Sequence, residues 1–134
     1  MLKLILASVL LVSLTQVNTL SDKQKELLIQ KHNECANKSR IDQTILQRSR
    51  TGQFPNNDKL KDHILCIAKK TDFQTESGVL QRQVILAKVK TALMGDDARA
   101  RNVVRECATS NPDPKLQAFN CFKCIYEKAL INLL

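Results

Sequence analysis

Five cysteines that all follow a short apolar leader constrain this chain more than any other feature. Residues 1–19 open with Lys3, run through Leu4–Val12 without a charge, and turn polar towards Val17-Asn18-Thr19. That pattern is a secretory signal, with cleavage expected between Thr19 and Leu20. The run is too short to span a bilayer, and no later stretch approaches about 18 uninterrupted apolar residues. Export carries Cys35, Cys66, Cys107, Cys121 and Cys124 into an oxidising compartment, where disulfides are the default. An odd number leaves one thiol over if the rest pair, and spacing alone does not select the bridges.

Residues 20–134 are expected to form one domain of roughly 115 residues, a common single-domain size. A core of that size is reinforced by disulfides rather than created by them. Glycine and proline are scarce, at three each, which argues against a turn-rich all-β chain. The formal charge is +8, or about +7 once Lys3 leaves with the leader. Such a balance suits nucleic acid, an anionic membrane or an acidic ligand. The basic residues are scattered, however, and no aromatic platform lies between them for single-strand binding. Export also argues against nucleic acid. A solvated basic surface is the plainer reading.

The chain reads as consecutive short helices. Ser21 is a good N-cap, and Leu27, Leu28 and Cys35 supply an apolar stripe through about Lys38. Asp42 caps a second helix carrying Ile45 and Leu46, which ends before Gly52. The stretch from Thr51 to Asn57 is a loop by its turn residues. Asn57 or Asp58 starts a third helix with Leu60, Ile64, Leu65, Ile67 and Ala68 inside. After a turn at Thr75-Glu76-Ser77-Gly78, a fourth helix is expected from about Val79 to Met94, with Ile85, Leu86, Val89, Ala92 and Leu93 at helical spacing. Gly95 stops it, and Asp96 caps a fifth that buries Val103 and Val104. The sixth, from Asp113 to about Lys128, is apolar nearly all round and belongs inside a bundle. The fold class is all-α, with about six helices.

Two segments carry a family resemblance. Leu60-Lys61-Asp62-His63-Ile64-Leu65-Cys66 and Phe122-Lys123-Cys124-Ile125-Tyr126-Glu127 resemble the third-helix and last-cysteine segments of the insect odorant-binding proteins, the pheromone- and general-odorant-binding superfamily. Members have a signal peptide, about six helices and six cysteines. Cys66 stands in the third cysteine position and Cys124 in the sixth. Asp62 occupies the second position and Lys115 the fifth, two positions that bond to each other in the family. Loss of both resembles the minus-cysteine branch. The resemblance implies bridges Cys35–Cys66 and Cys107–Cys124, with Cys121 free on an apolar helix and therefore buried and inert.

Other constellations have simpler explanations. Cys121-Phe122-Lys123-Cys124 is a C-x-x-C lying mid-helix, with no strand before it as redox chemistry would want. His32-x-x-Cys35 and His63-x-x-Cys66 have metal-ligand spacing, but exported cysteines pair with each other, so no metal and no cofactor are expected. Asn37-Lys38-Ser39 is a glycosylation sequon close to a bridge. Asp42, Asp96 and Asp97 read as helix caps rather than acid–base pairs. No catalytic residues are identified, and an enzyme is not expected.

The apolar residues of helices three, four and six outnumber what one bundle seam needs. Most are core in any such fold. The functional expectation is that these helices surround an internal hydrophobic cavity lined by Ile64, Leu65, Ile85, Val89, Phe119, Phe122 and Tyr126. Tyr126 can donate a hydrogen bond to a carbonyl or hydroxyl. The tail Leu130–Leu134 either closes the cavity wall or forms a last helical turn. The expected function is a secreted carrier of small hydrophobic ligands such as odorants or pheromones. It is expected to be extracellular (sensillar lymph, haemolymph or glandular secretion) and a monomer or weak dimer, with no stable membrane insertion and only an indirect relation to a membrane odorant receptor. The alternative is a secreted interaction protein acting through its basic surface without a small-molecule ligand.

Overall fold

The computed structural model describes residues 22–134. The expected leader, its cleavage site and the Ser21 cap lie outside the described residues. Six helices follow in order: α1 (Asp22–Ser39), α2 (Gln43–Arg50), α3 (Asp58–Lys70), α4 (Arg82–Ala92), α5 (Asp97–Cys107) and α6 (Pro114–Ala129). There is no strand among the described residues, only an isolated bridge between Gln74 and Leu80. No described helix is long and apolar enough to cross a membrane. Residues 22–30 fall in a separate compact unit and are described by themselves; there Leu27 and Leu28, expected on a buried stripe, are exposed. Residues 31–134 form the main unit, which holds both disulfides.

Side-chain caps fix most helix starts. Asp42 accepts from the Thr44 N–H at 2.7 Å, Asn57 from Leu60 at 3.0 Å and Asp96 from Arg99 at 3.1 Å. Asp113 accepts from Lys115 at 2.9 Å, with Pro114 beginning α6. These bonds satisfy amides that a helix leaves unpaired in its first turn. The fourth helix differs from expectation: it starts three residues late, at Arg82 instead of Val79. The backbone before it is committed elsewhere. The Thr75 N–H donates to the Val79 carbonyl at 2.9 Å, and the Gln81 N–H donates to the Phe73 carbonyl at 2.8 Å. At its other end Met94 turns left-handed (φ 56°) and the Gly95 N–H closes onto the Lys90 carbonyl at 2.8 Å, so α4 ends at Ala92.

Helix α6 is the central element: α3 and α5 both pack on it, and α4 packs on α5. Ala118, Phe119, Cys121, Phe122, Ile125 and Ala129 of α6 are all buried. The polar edge is narrow: Asn120 and Glu127 are exposed, and Lys123 is half-buried. Two disulfides lock this arrangement. Cys35–Cys66 joins α1 to α3 with Cα atoms 5.6 Å apart, and Cys107–Cys124 joins α5 to α6 at 5.3 Å. They close loops of 31 and 17 residues. In the chain-entropy account, loops of this size give about 3–4 kcal/mol each. Cys121 is a buried free thiol.

Candidate functional site

Helices α3, α4 and α6 bring the expected lining residues into one apolar cluster. Ile64, Ile85, Val89, Phe119 and Phe122 are buried members of it, and Leu65 packs against it half-buried. Their positions follow from helical spacing: α3 packs directly on α6, and α4 packs on α5, which is itself packed on α6. Phe119 meets Phe54 edge-on, with ring centres 6.1 Å apart, and Phe54 in turn meets Tyr126 at 6.1 Å. Phe122 meets Phe73 at 5.9 Å. The Lys61 ammonium lies 5.6 Å from the Phe119 ring centre, within cation–π range.

Tyr126 sits at the rim of this cluster. Its hydroxyl donates to the Thr51 carbonyl at 3.4 Å. Its ring lies so close to Gly52 that a Cβ there would fall 2.2 Å from a ring carbon. Gly52 also has φ +96°, which side-chain-bearing residues rarely adopt. The tail beyond α6 is not a helical turn. Leu130 turns left-handed (φ 56°), and the chain then runs on without helix to Leu134. Asn132 ties it down by donating to the Ser49 carbonyl at 3.2 Å and the Arg50 carbonyl at 2.6 Å. Ile131, Leu133 and Leu134 pack, half-buried, against the core. The tail is therefore a strap from α6 to the end of α2.

Polar groups buried within or beside the cluster are few. Gln117 bridges the turn before α4 to α6, accepting from the Asn111 N–H at 3.0 Å and donating to the Gly78 carbonyl at 2.6 Å. His63, on α3, is 1% exposed, and neither ring nitrogen has a hydrogen-bond partner. Burial lowers its pKa, the polar backbone of Cys35 offsets this in part, and the positive fields of His32 and Arg50 lower it further. His32 is lowered by burial and by Arg50. Burial pushes the Cys121 thiol up to about 12, against a small opposing pull from Arg82. A thiol in that state is protonated and a poor nucleophile. No group of three or more His, Cys, Asp or Glu among the described residues is placed to hold a metal.

An open groove of about 600 Å³ lies on the outer side of the cluster, where the first turn of α4 meets α5 and where Val104 and Ala108 are both wall and core. Its walls include Arg82, Leu86, Arg101, Val104, Arg105 and Ala108. None of the seven expected lining residues borders it. A smaller hollow of about 250 Å³ beside the first disulfide is bordered by Lys38, Asp62, Leu65 and Cys66. Four residues that shape the site, Phe54, Phe73, Lys61 and Asn132, do not stand out from sequence. Phe54 sits in a segment that reads only as a loop, and its aromatic character is the one available signal.

A capped helical bundle with two staples and an apolar centre is the class that this architecture defines. Residues 17–128 match the PBP/GOBP family, and the chain belongs to it. It is similar to the B1 protein of Tenebrio molitor, with 30% identity over 117 residues, covering 87% of this chain and 89% of that protein. The B2 protein of the same species is 29% identical, with 91% of its length covered. The fold is like that of Apis mellifera odorant binding protein 5 (TM-score 0.68, 18% identity, 83% of this chain and 93% of that one). It is also like the THP12 carrier protein from yellow meal worm (TM-score 0.60, 26% identity, 72% and 88%). A third similar fold is the fatty acid binding protein OBP56a from the oral disk of the blowfly Phormia regina (TM-score 0.62, 20% identity, 82% and 95%). These likenesses establish the family and no branch within it. The minus-cysteine branch is not supported by them; the chain itself has two bridges and a buried free thiol.

Proposed function

We propose that this chain is an exported carrier that takes up small hydrophobic molecules reversibly between α3, α4 and α6. Ile64, Leu65, Ile85, Val89, Phe119, Phe122 and Tyr126 would meet the guest. The observation that carries this reading is family membership over residues 17–128, combined with an apolar cluster that gathers residues from those helices. The THP12 protein, similar in sequence and fold, is itself a carrier. The mechanism needs no bond chemistry. Burial of apolar surface yields about 25 cal/mol per Å², so a guest covering several hundred Å² retains micromolar affinity after the cost of immobilisation.

Uptake needs the wall to part. The strap at residues 130–134 is the natural door, because Asn132 alone supplies its side-chain hydrogen bonds to the Ser49 and Arg50 carbonyls. Segments with few anchoring bonds open at low free-energy cost. The test is displacement of an apolar fluorophore from refolded protein by a series of aliphatic alcohols. Saturable uptake, weakened by Phe119→Ala, is expected. Absence of uptake by a protein whose helical circular dichroism is intact would overturn the carrier reading.

A further inference from the structure

We propose that the groove between α4 and α5 is a second binding site, selective for alkyl chains with a carboxylate head. It does not depend on the interior site. Its floor is apolar, formed by Leu86, Val104 and Ala108. Its rim carries three guanidinium groups, Arg82, Arg101 and Arg105, and no acidic residue is among the lining groups. A volume of about 600 Å³ is within the usual range for small-molecule sites. An apolar floor beneath a cationic rim is complementary to an amphiphile with one anionic end.

The arginines are neither free to collapse nor spent. Arg82 is held by two bonds, from Nε to the Ala108 carbonyl at 3.0 Å and from Nη2 to the Ser110 hydroxyl at 3.2 Å. Nε of Arg101 donates to Asp97 at 2.7 Å, and Nη2 of Arg105 donates to Asn102. A guanidinium has five N–H donors, so each keeps several for a ligand. Asp97, the acidic neighbour, is already engaged by both Arg101 and Lys90. The planar fork of arginine suits the two oxygens of a carboxylate, which a lysine cannot match. Arg101 and Arg105 stand one helical turn apart on α5, so both can face a single head group.

The experiment compares dodecanoate with dodecanol by isothermal titration, using the intact bridged protein and an Arg101→Gln/Arg105→Gln variant. Both side chains are exposed, so the variant should retain its circular dichroism. The variant is expected to bind dodecanoate about tenfold more weakly, the scale of one or two charge-assisted hydrogen bonds, and dodecanol within about twofold of the parent. Salt at 0.5 M should weaken dodecanoate binding to the parent more than to the glutamine variant. Arg101→Lys/Arg105→Lys should give an intermediate affinity, because charge is kept and the fork is lost. Unchanged dodecanoate affinity in the glutamine variant, or an equal loss for both ligands, overturns the proposal. Failure of dodecanol to bind the parent at all would instead speak against the interior site.

Discussion

The Lys115 ammonium lies 2.6 Å from the Asp62 carboxylate, joining the first turn of α6 to the middle of α3. The pair ties by charge two helices that neither disulfide joins to each other. Both side chains are half exposed to water, at 50% and 41%. Exposed pairs stabilise little and are screened by salt. Asp62 raises the Lys115 pKa through their hydrogen bond. The Lys115 side of the contribution is therefore complete at neutral pH and is lost as the solution becomes strongly alkaline. Replacement by a covalent link should do more. Asp62→Cys/Lys115→Cys is expected to oxidise to a third disulfide, detected by peptide mass mapping. Closure of that loop should raise Tm by about 10 °C. Failure of the pair to oxidise while the native bridges form would show that the backbones here stand too far apart.

His63 predicts an acid-side loss of stability. Its ring is buried, and burial holds its pKa below the ordinary 6.5 against a smaller opposing contribution from the Cys35 backbone. Well above pH 6.5 the histidine is neutral in both states and contributes no slope. As pH falls from there towards the lower folded value, the unfolded chain takes up a proton that the fold refuses. Stability then falls by up to about 1.4 kcal/mol per pH unit. His63→Leu removes this group at similar volume. Urea midpoints measured from pH 7.5 to 4.5 should show a shallower decline in the variant, with His32 leaving a residual slope. Parallel profiles would refute the assignment.

Gly52 is the tightest backbone position beside the candidate site. A methyl group would strike the Tyr126 ring, and its φ of +96° would be strained for any other residue. Gly52→Ala should therefore cost about 1–3 kcal/mol and displace the hydroxyl of Tyr126 from the Thr51 carbonyl. Chemical denaturation gives the first quantity, and a change in tyrosine fluorescence reports the second. Tyr126→Ala alone should be milder, and combining it with Gly52→Ala should remove the part of the penalty due to the clash while the strain at φ +96° remains.

The legibility of each feature in the sequence depends on the range of the interaction behind it. Asp42, Asn57, Asp96 and Asp113 are readable as caps because a cap bonds an amide two or three residues away. The apolar nature of α6 likewise needs only its own spacing. The start of α4 is misread because Phe73, eight residues before Gln81, captures that backbone in a pairing that helical periodicity does not encode. Phe54 reaches Phe119 and Tyr126 across about half of the chain, so its role emerges only once α6 is docked. The bridges come from family resemblance, since five cysteines admit several pairings. The cationic groove is invisible for a related reason: Arg82 and Arg105 belong to different helices, and each looks like an ordinary surface charge until packing sets them around one apolar floor.

Cys121 supplies the last test, because its chemistry and its burial make one joint prediction. The thiol is 2% exposed and held up to about 12 by desolvation, so at pH 8 it is almost wholly protonated. Thiolate is the reacting species in disulfide exchange and alkylation. The native protein should therefore show under a tenth of an equivalent of reactive thiol towards a dithiobisbenzoate reagent at pH 8, and one equivalent after denaturation without reductant. Three equivalents on denaturation would mean that a bridge is open, and rapid native labelling would mean that α6 does not bury this face. Cys121→Ser separates packing from chemistry: it keeps the volume nearly constant but places a hydroxyl among apolar neighbours, which costs about 1–3 kcal/mol when no partner is available. Cys121→Ala, which leaves a small void in place of an unpaired polar group, should lose less. If serine proves as stable as the parent, a polar partner or water must reach this position, and the dry interior assigned to α6 would have to be abandoned.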